Sequence, residues 1–391
     1  MRETMIYLDN SATTPLSERV KARIIEVMEI YGNPSSLHPL GQSAEAAIEE
    51  ARGRVARAIG LRPRSNEGRI IFTSSGTEAS ALAIFGSAYA KKRRGASRIL
   101  TTDSEHPSVL RAMERLAEDG FEVIRIPTKG GVLDRAALEA ALDKPILLAS
   151  FMLVNNETGA VYAVKDAFRT VKRKYPDALT HCDAVQGFMK LPFSPTTLSA
   201  DMITVSGHKI HAPKGIGALY VSEAVIKAKK LIPYLVGGGQ ESGMRSGTEN
   251  VLGIVAFGEA AEELRCCREE SRSTVEALRA YAEERLSSLP VRINRPEGEF
   301  LPHILHLTLP DIKSETMLHA LSADGICVSS GSACSSHSKN PSGALLAFGL
   351  SAHETDCSLR ISLSHRNTKE DIDALVESLQ KNLDRLVRIK R

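Results

Sequence analysis

RIIFTSSGTEA, residues 69–79, is the stretch on which the fold turns. A short apolar run rich in β-branched residues passes through two serines and a glycine directly into a helical segment, Glu78 to Lys92. The same succession recurs downstream: SRILTTD (97–103) precedes Ser108 to Asp119, and PILLASFMLV (145–154) precedes a further loop and helix. Strands alternating with helices predict a parallel sheet covered on both faces. Further candidate strands are Ala178 to Cys182, Asp201 to Val205 and Gly217 to Val221. The last follows APKGIG and is expected at an edge or as an antiparallel member.

After Asn250 the character changes to a long Glu- and Arg-rich helical stretch reaching about Leu286. HILHLTL, a helix around Glu315 to Ala323, ICVSSG and LRISLS follow, and from Glu370 the residues Ile372, Leu375, Val376, Leu379, Leu383 and Leu386 form an apolar stripe at helical spacing. This reads as an α/β domain over residues 15–260 and a smaller α+β domain over 261–391, joined by residues 1–14. A chain of 391 residues can bury about three quarters of the surface it exposes when unfolded.

Charged residues make up 25% of the chain with a net charge of only +3, so nothing marks it as disordered or as a dedicated nucleic-acid binder, a local basic patch aside. No run of about 18 apolar residues is present, and the start MRETMIYLDNSATT lacks the basic leader and long apolar core of a signal peptide. A cytosolic protein with no membrane contact is expected. Six cysteines in so long a chain do not make a disulfide framework.

In FTSSGTEA, backbone N–H groups and a helix dipole at Gly76 and Thr77 would face a phosphate, although a plain capped helix fits those residues equally. Further on, THCDAVQG (180–187) and TVSGHK (204–209) each follow a candidate strand. If the two strands are parallel neighbours, Asp183 and Lys209 emerge from the sheet edge where open α/β sheets bind ligands. A carboxylate and an amine beside a phosphate turn are what pyridoxal phosphate requires: the amine forms a Schiff base and the carboxylate keeps the pyridine nitrogen protonated. Gln186, one turn on if a helix starts there, would donate to the ring oxygen, and Ser206 and His208 would reach the phosphate. An isolated lysine is otherwise a solvated surface group. His106, between a strand and a helix, suits either stacking over the ring with proton relay or a local cap at the helix start.

Cys334 lies in VSSGSACSSHSKNPSG (328–343), small and turn-forming residues that suit a travelling nucleophile or, more plainly, an inert surface thiol. Cys327, Cys334 and His337 do not match a zinc pattern, so no metal is expected. Cys266 and Cys267 read as helix residues, and Cys182 and Cys357 as packing positions. Arg360 has the fork to hold a substrate carboxylate, and Asn156 would reach that carboxylate or the cofactor hydroxyl.

Taken in order, YLDNSATTP, NPSSLH, FTSSGTEA, EHPSV, VNNETG, HCDAVQ, SGHK, KGIGALYV, GMRSGTEN, SSGSACSS and LRISL resemble the cysteine desulfurases from Tyr7 to Leu363. The resemblance implies a homodimeric fold type I pyridoxal-phosphate enzyme, with a mostly parallel seven-stranded sheet in the large domain and a smaller α+β C-terminal domain. It also implies Lys209 as the cofactor lysine and Asp183 as the pyridine-nitrogen partner. His106 becomes the stacking residue, Gln186 the ring-oxygen contact, and Gly76, Thr77, Ser206 and His208 the phosphate cradle. Thr248 becomes a contact to the phosphate in the other subunit, Cys334 the persulfide cysteine, and Asn156 and Arg360 the binders of the substrate carboxylate.

The reaction implied converts L-cysteine to L-alanine and passes sulfur through Cys334 to an iron-sulfur scaffold or a tRNA-thiolation enzyme. The long loop around Cys334 is similar to the NifS-like branch rather than the SufS-like branch. Two positions depart from the family pattern: Leu153 stands where histidine is frequent and Tyr162 where glutamine is common. A selenocysteine lyase is the nearest rival, and another class V aminotransferase is a more distant one.

Overall fold

The computed structural model describes residues 5–62, 67–90, 97–330 and 341–386. Its strands in chain order are β1 (Ile6–Tyr7), β2 (Gly68–Thr73), β3 (Arg98–Thr102), β4 (Glu122–Ile126), β5 (Ile146–Met152) and β6 (Leu179–Asp183). There follow β7 (Met202–Ser206), β8 (Gly217–Ser222), β9 (Arg292–Ile293), β10 (Ile304–Thr308), β11 (Ile326–Cys327) and β12 (Ser358–Ser362). Seven of them form one sheet in the order β2-β8-β7-β6-β5-β3-β4. The pairs β4/β3, β3/β5, β5/β6 and β6/β7 are parallel, and only β8 runs against its neighbours.

All seven residues of β5 are buried, as expected of a strand covered on both faces by helices. One apolar core packs the helices Glu18–Val27, Pro39–Ala58, Val164–Lys174 and Val251–Cys266 on one face of the sheet. A second core lies on the other face under Gly76–Ala88 and Pro107–Glu118. The strand Gly217–Ser222 is antiparallel, but it is internal rather than at an edge: β2 hydrogen-bonds along its whole length from Gly68 to Thr73 and takes the edge itself.

The long helical stretch after Asn250 is two helices, Val251–Cys266 and Arg268–Leu286, because Cys267 leaves helical geometry at φ −116 and ψ 20. The core changes at that break. The first helix packs on Pro39–Ala58, whereas the second packs on the closing helix Lys369–Arg385. A third apolar core joins Leu8 to residues of Arg268–Leu286, β10, β12 and Ile372, Leu375, Val376, Leu379 and Leu383 of the closing helix. β12, β10 and β9 form an antiparallel sheet beside it, and β1 pairs in parallel with β11. Among the described residues no helix is long and apolar enough to cross a membrane.

Candidate active site

The parallel pairing of β6 with β7 meets the condition set by the sequence, since Asp183 ends one strand and Ser206 the next. The carboxyl ends of β5, β6 and β7 open onto a cavity of about 220 Å³. It is lined by Gly76, Thr77, His106, Asn156, Asp183, Gln186, Ser206, His208, Lys209 and Arg360. Every sequence-derived cofactor and substrate residue except Thr248 therefore lines this one cavity, Cys334 and His337 lying outside the described residues.

Gly76 opens the helix Gly76–Ala88, with the Ser75 side chain capping it by accepting from Glu78 N. A Cβ at Gly76 would stand 3.0 Å from Val185 and 3.4 Å from Ser206, so only glycine lets the turn approach the sheet this closely. Gly76 and Thr77 line the cavity, and Ser206 Oγ is buried with no hydrogen-bond partner among the described residues. An unpartnered buried hydroxyl beside a helix start is a fitting seat for a phosphate.

Lys209 sits on the short turn Gly207–Lys209 after β7, and its Nζ donates to Ser11 O at 2.6 Å and to Ala12 O at 2.8 Å. Asp183 accepts from Val185 N at 3.0 Å, and burial outweighs that bond and the nearby Lys209 to push its carboxyl up to about 6. A protonated ring nitrogen would supply the partner that such a buried carboxylate needs. Gln186 lies in a run of turns rather than a helix, yet it is buried at the cavity with Nε2 donating to Ser11 O at 2.9 Å. These donors and acceptors fit pyridoxal phosphate.

Of the two roles left open by the sequence for His106, the structure shows the cap at the helix start. His106 caps the helix Pro107–Glu118, accepting at Nδ1 from Ser108 N at 3.2 Å, and it also lines the cavity. Burial and then Lys209 lower its pKa to about 4, so the ring is neutral at pH 7 and carries its proton on Nε2. His208, near Thr13 Oγ1, is lowered likewise to about 4.

Arg360 is only 2% exposed on β12, donating from Nη2 to Asp9 Oδ1 at 3.0 Å and from Nη1 to Asn156 O at 3.0 Å. Asp9 in turn accepts from Ser329 Oγ at 2.8 Å. The two candidate carboxylate binders are thus fastened to each other. Because Arg360→Met strands the Asp9 carboxylate without its cation, the variant is expected to lose about 3 kcal/mol of stability. Urea unfolding of the apo-protein checks this, and an unmoved midpoint would show that the pair contributes nothing to the fold.

Thr248 lies outside this cavity, in a separate one lined by Phe72, Thr73, Ser74, Gly215 and Arg245. Of the two departures from the family pattern, Leu153 is buried in the sheet core, while the Tyr162 hydroxyl meets Ser104 Oγ at 2.7 Å, two residues before His106. Sequence reasoning missed Ser11, whose carbonyl accepts from both Gln186 and Lys209. The signal available was the turn-forming DNSATT after the first strand.

A seven-stranded α/β sheet with a smaller C-terminal domain and this cavity at the strand ends defines a fold type I pyridoxal-phosphate architecture. The Aminotransferase class-V family model matches residues 6–375. A cysteine desulfurase of Trichormus azollae is 40% identical over 387 residues, covering 98% of this chain and 94% of that protein. The X-ray structure of a NifS-like protein from Rickettsia africae superposes with a TM-score of 0.87 at 34% identity, covering 97% of this chain and 99% of that one. A structure described as SspA in complex with cysteine gives a TM-score of 0.78 at 30% identity over 93% of this chain and 99% of its own. The chain belongs to the class-V aminotransferases and, within them, to the NifS/IscS-like cysteine desulfurases.

Proposed function

We propose that this chain is a pyridoxal-phosphate-dependent cysteine desulfurase that converts L-cysteine to L-alanine and takes the sulfur onto Cys334. The observation that carries the reading is the convergence of Lys209, Asp183, His106, Gln186, Asn156 and Arg360 on one cavity. A relative solved with cysteine bound supports the substrate.

Lys209 would hold the cofactor covalently, with Asp183 at its ring nitrogen, His106 over its ring, Gln186 at its ring oxygen and Gly76, Thr77, Ser206 and His208 around its phosphate. When bound, the cofactor supplies an electron sink for the charge left when the substrate loses its Cα proton. Arg360 and Asn156 would bind the substrate carboxylate, and Lys209 Nζ, once freed from the cofactor, would take the Cα proton. Neutral His106 would donate its Nε2 proton and take it back. The Cys334 thiolate then attacks the substrate sulfur: an S–S bond forms, the substrate C–S bond breaks, and protons return to the carbon. Cysteine plus one enzyme thiol gives alanine plus one enzyme persulfide, so atoms and electrons balance.

The remaining partners are proposals of the same kind: a homodimer in which Thr248 reaches the other subunit's phosphate, a cytosolic setting, and an iron-sulfur scaffold or tRNA-thiolation enzyme as acceptor. The test is borohydride reduction of the cofactor-loaded protein followed by peptide mapping, with alanine assayed from cysteine. The label is expected on Lys209, with alanine and protein persulfide formed in equal amounts. A label on Lys214, or protein that takes up no cofactor, would sink the reading. Faster alanine release from selenocysteine, without a persulfide, would favour the lyase.

A further inference from the structure

Lys190 closes the run of turns that begins after Asp183. Its half-buried side chain donates from Nζ to Gln186 Oε1 at 3.3 Å. Gln186 Nε2 donates to Ser11 O at 2.9 Å, and Lys209 Nζ donates to the same carbonyl at 2.6 Å. A short chain of donors and acceptors thus runs from Lys190 through Gln186 and Ser11 to the candidate cofactor lysine.

We propose that Lys190 is a positioning residue, which holds the Gln186 amide with its N–H₂ toward Ser11 and the cavity by donating to its oxygen. The proposal rests on the reading of Gln186 as the contact to the cofactor's ring oxygen. A primary amide is nearly symmetric in shape, so rotating it by half a turn exchanges donor for acceptor at little steric cost. Here the partners decide the matter. Ser11 O can only accept, and Lys190 Nζ when protonated can only donate, so each favours the same orientation. Without Lys190, Gln186 Oε1 is left buried with no donor, and the side chain must leave its seat to find one.

The surroundings of Lys190 give it a second lever on the site. Burial and the positive charges of Lys209 and Arg360 lower its pKa to about 7. His208, His211 and His303 also face it, and burial holds each of these rings neutral at pH 7. The charge of Lys190 adds to the positive charges of Lys209 and Arg360, which favour an anionic ring oxygen on the cofactor.

The test compares wild type, Lys190→Met, Lys190→Arg, Gln186→Ala and the double variant Lys190→Met with Gln186→Ala, all loaded with pyridoxal phosphate. Lys190→Met is expected to weaken cofactor binding about fivefold. It should also raise the pH midpoint of the cofactor's absorbance change, because both the cation and the amide donor leave the ring oxygen. Lys190→Arg should restore both. In the Gln186→Ala background the affinity cost of Lys190→Met should shrink, since only the direct effect of its charge remains. An unchanged midpoint in Lys190→Met, or the same affinity loss with Gln186 already removed, overturns the proposal. A wild type loaded on Lys209 with an indifferent Lys190→Met sinks Lys190 alone. A wild type that binds no cofactor sinks both the proposal and the reading of the site.

Discussion

Cys334→Ser is expected to lower alanine formation from cysteine by at least about a thousandfold, the scale of losing a nucleophile outright. The serine hydroxyl stays protonated at neutral pH and oxygen lacks the reactivity of a thiolate toward sulfur. Every candidate cofactor contact among the described residues lies elsewhere in the chain, from Gly76 to Thr248. Cofactor uptake and the absorbance change on adding cysteine should therefore persist. The measurement is alanine from cysteine and from selenocysteine, with mass spectrometry of the peptide that contains Cys334. Undiminished alanine from cysteine would remove Cys334 from the reaction. A selenocysteine lyase would retain its activity on selenocysteine, and an aminotransferase would be indifferent to the change.

Lys209→Ala is expected to cost roughly a hundredfold to ten-thousandfold in turnover, the range set by loss of a general base. The cofactor should still bind through the Asp183, Gln186 and Ser206 side of the cavity, but borohydride should fix none of it to the chain. Removing Nζ also leaves Ser11 O with Gln186 as its donor. Backbone at Ser11 should therefore hold its place. A small primary amine added to the variant should restore part of the rate, since the space vacated by the lysine can admit a free base. No rescue, together with an unaltered rate before rescue, would move the base elsewhere, with His106 the next to test.

The strand ends were legible in the sequence because buried parallel strands are written as continuous apolar runs, and a ligand site at their carboxyl ends follows from topology. That is how Asp183 and Lys209 could be placed together before any coordinates. What escaped is what depends on distant partners. The strand β4, FEVIRI in context, is only partly buried, so its short apolar pattern does not mark it as a core strand. The internal place of β8 depends on β2, nearly 150 residues earlier in the chain, taking the edge. Ser11 acts through a backbone carbonyl, which every residue has, and its donors stand 175 and 198 residues away. The break at Cys267 had no glycine or proline to announce it.

The parallel pairing of β1 with β11 joins Ile6 to Ile326, and the ion pair between Arg360 and Asp9 spans the chain even more widely. On a ribosome this means that the first strand emerges long before its partner exists. At about 5–20 residues per second, the wait is roughly 15 to 65 seconds. The large sheet, with Asp183 and Lys209, can assemble during that interval. Arg360, proposed to hold the substrate carboxylate, is synthesised near the end, and only then can the opening segment be drawn into place. Newly made protein therefore completes the candidate cavity in two stages, the sheet side first and the Arg360 side last.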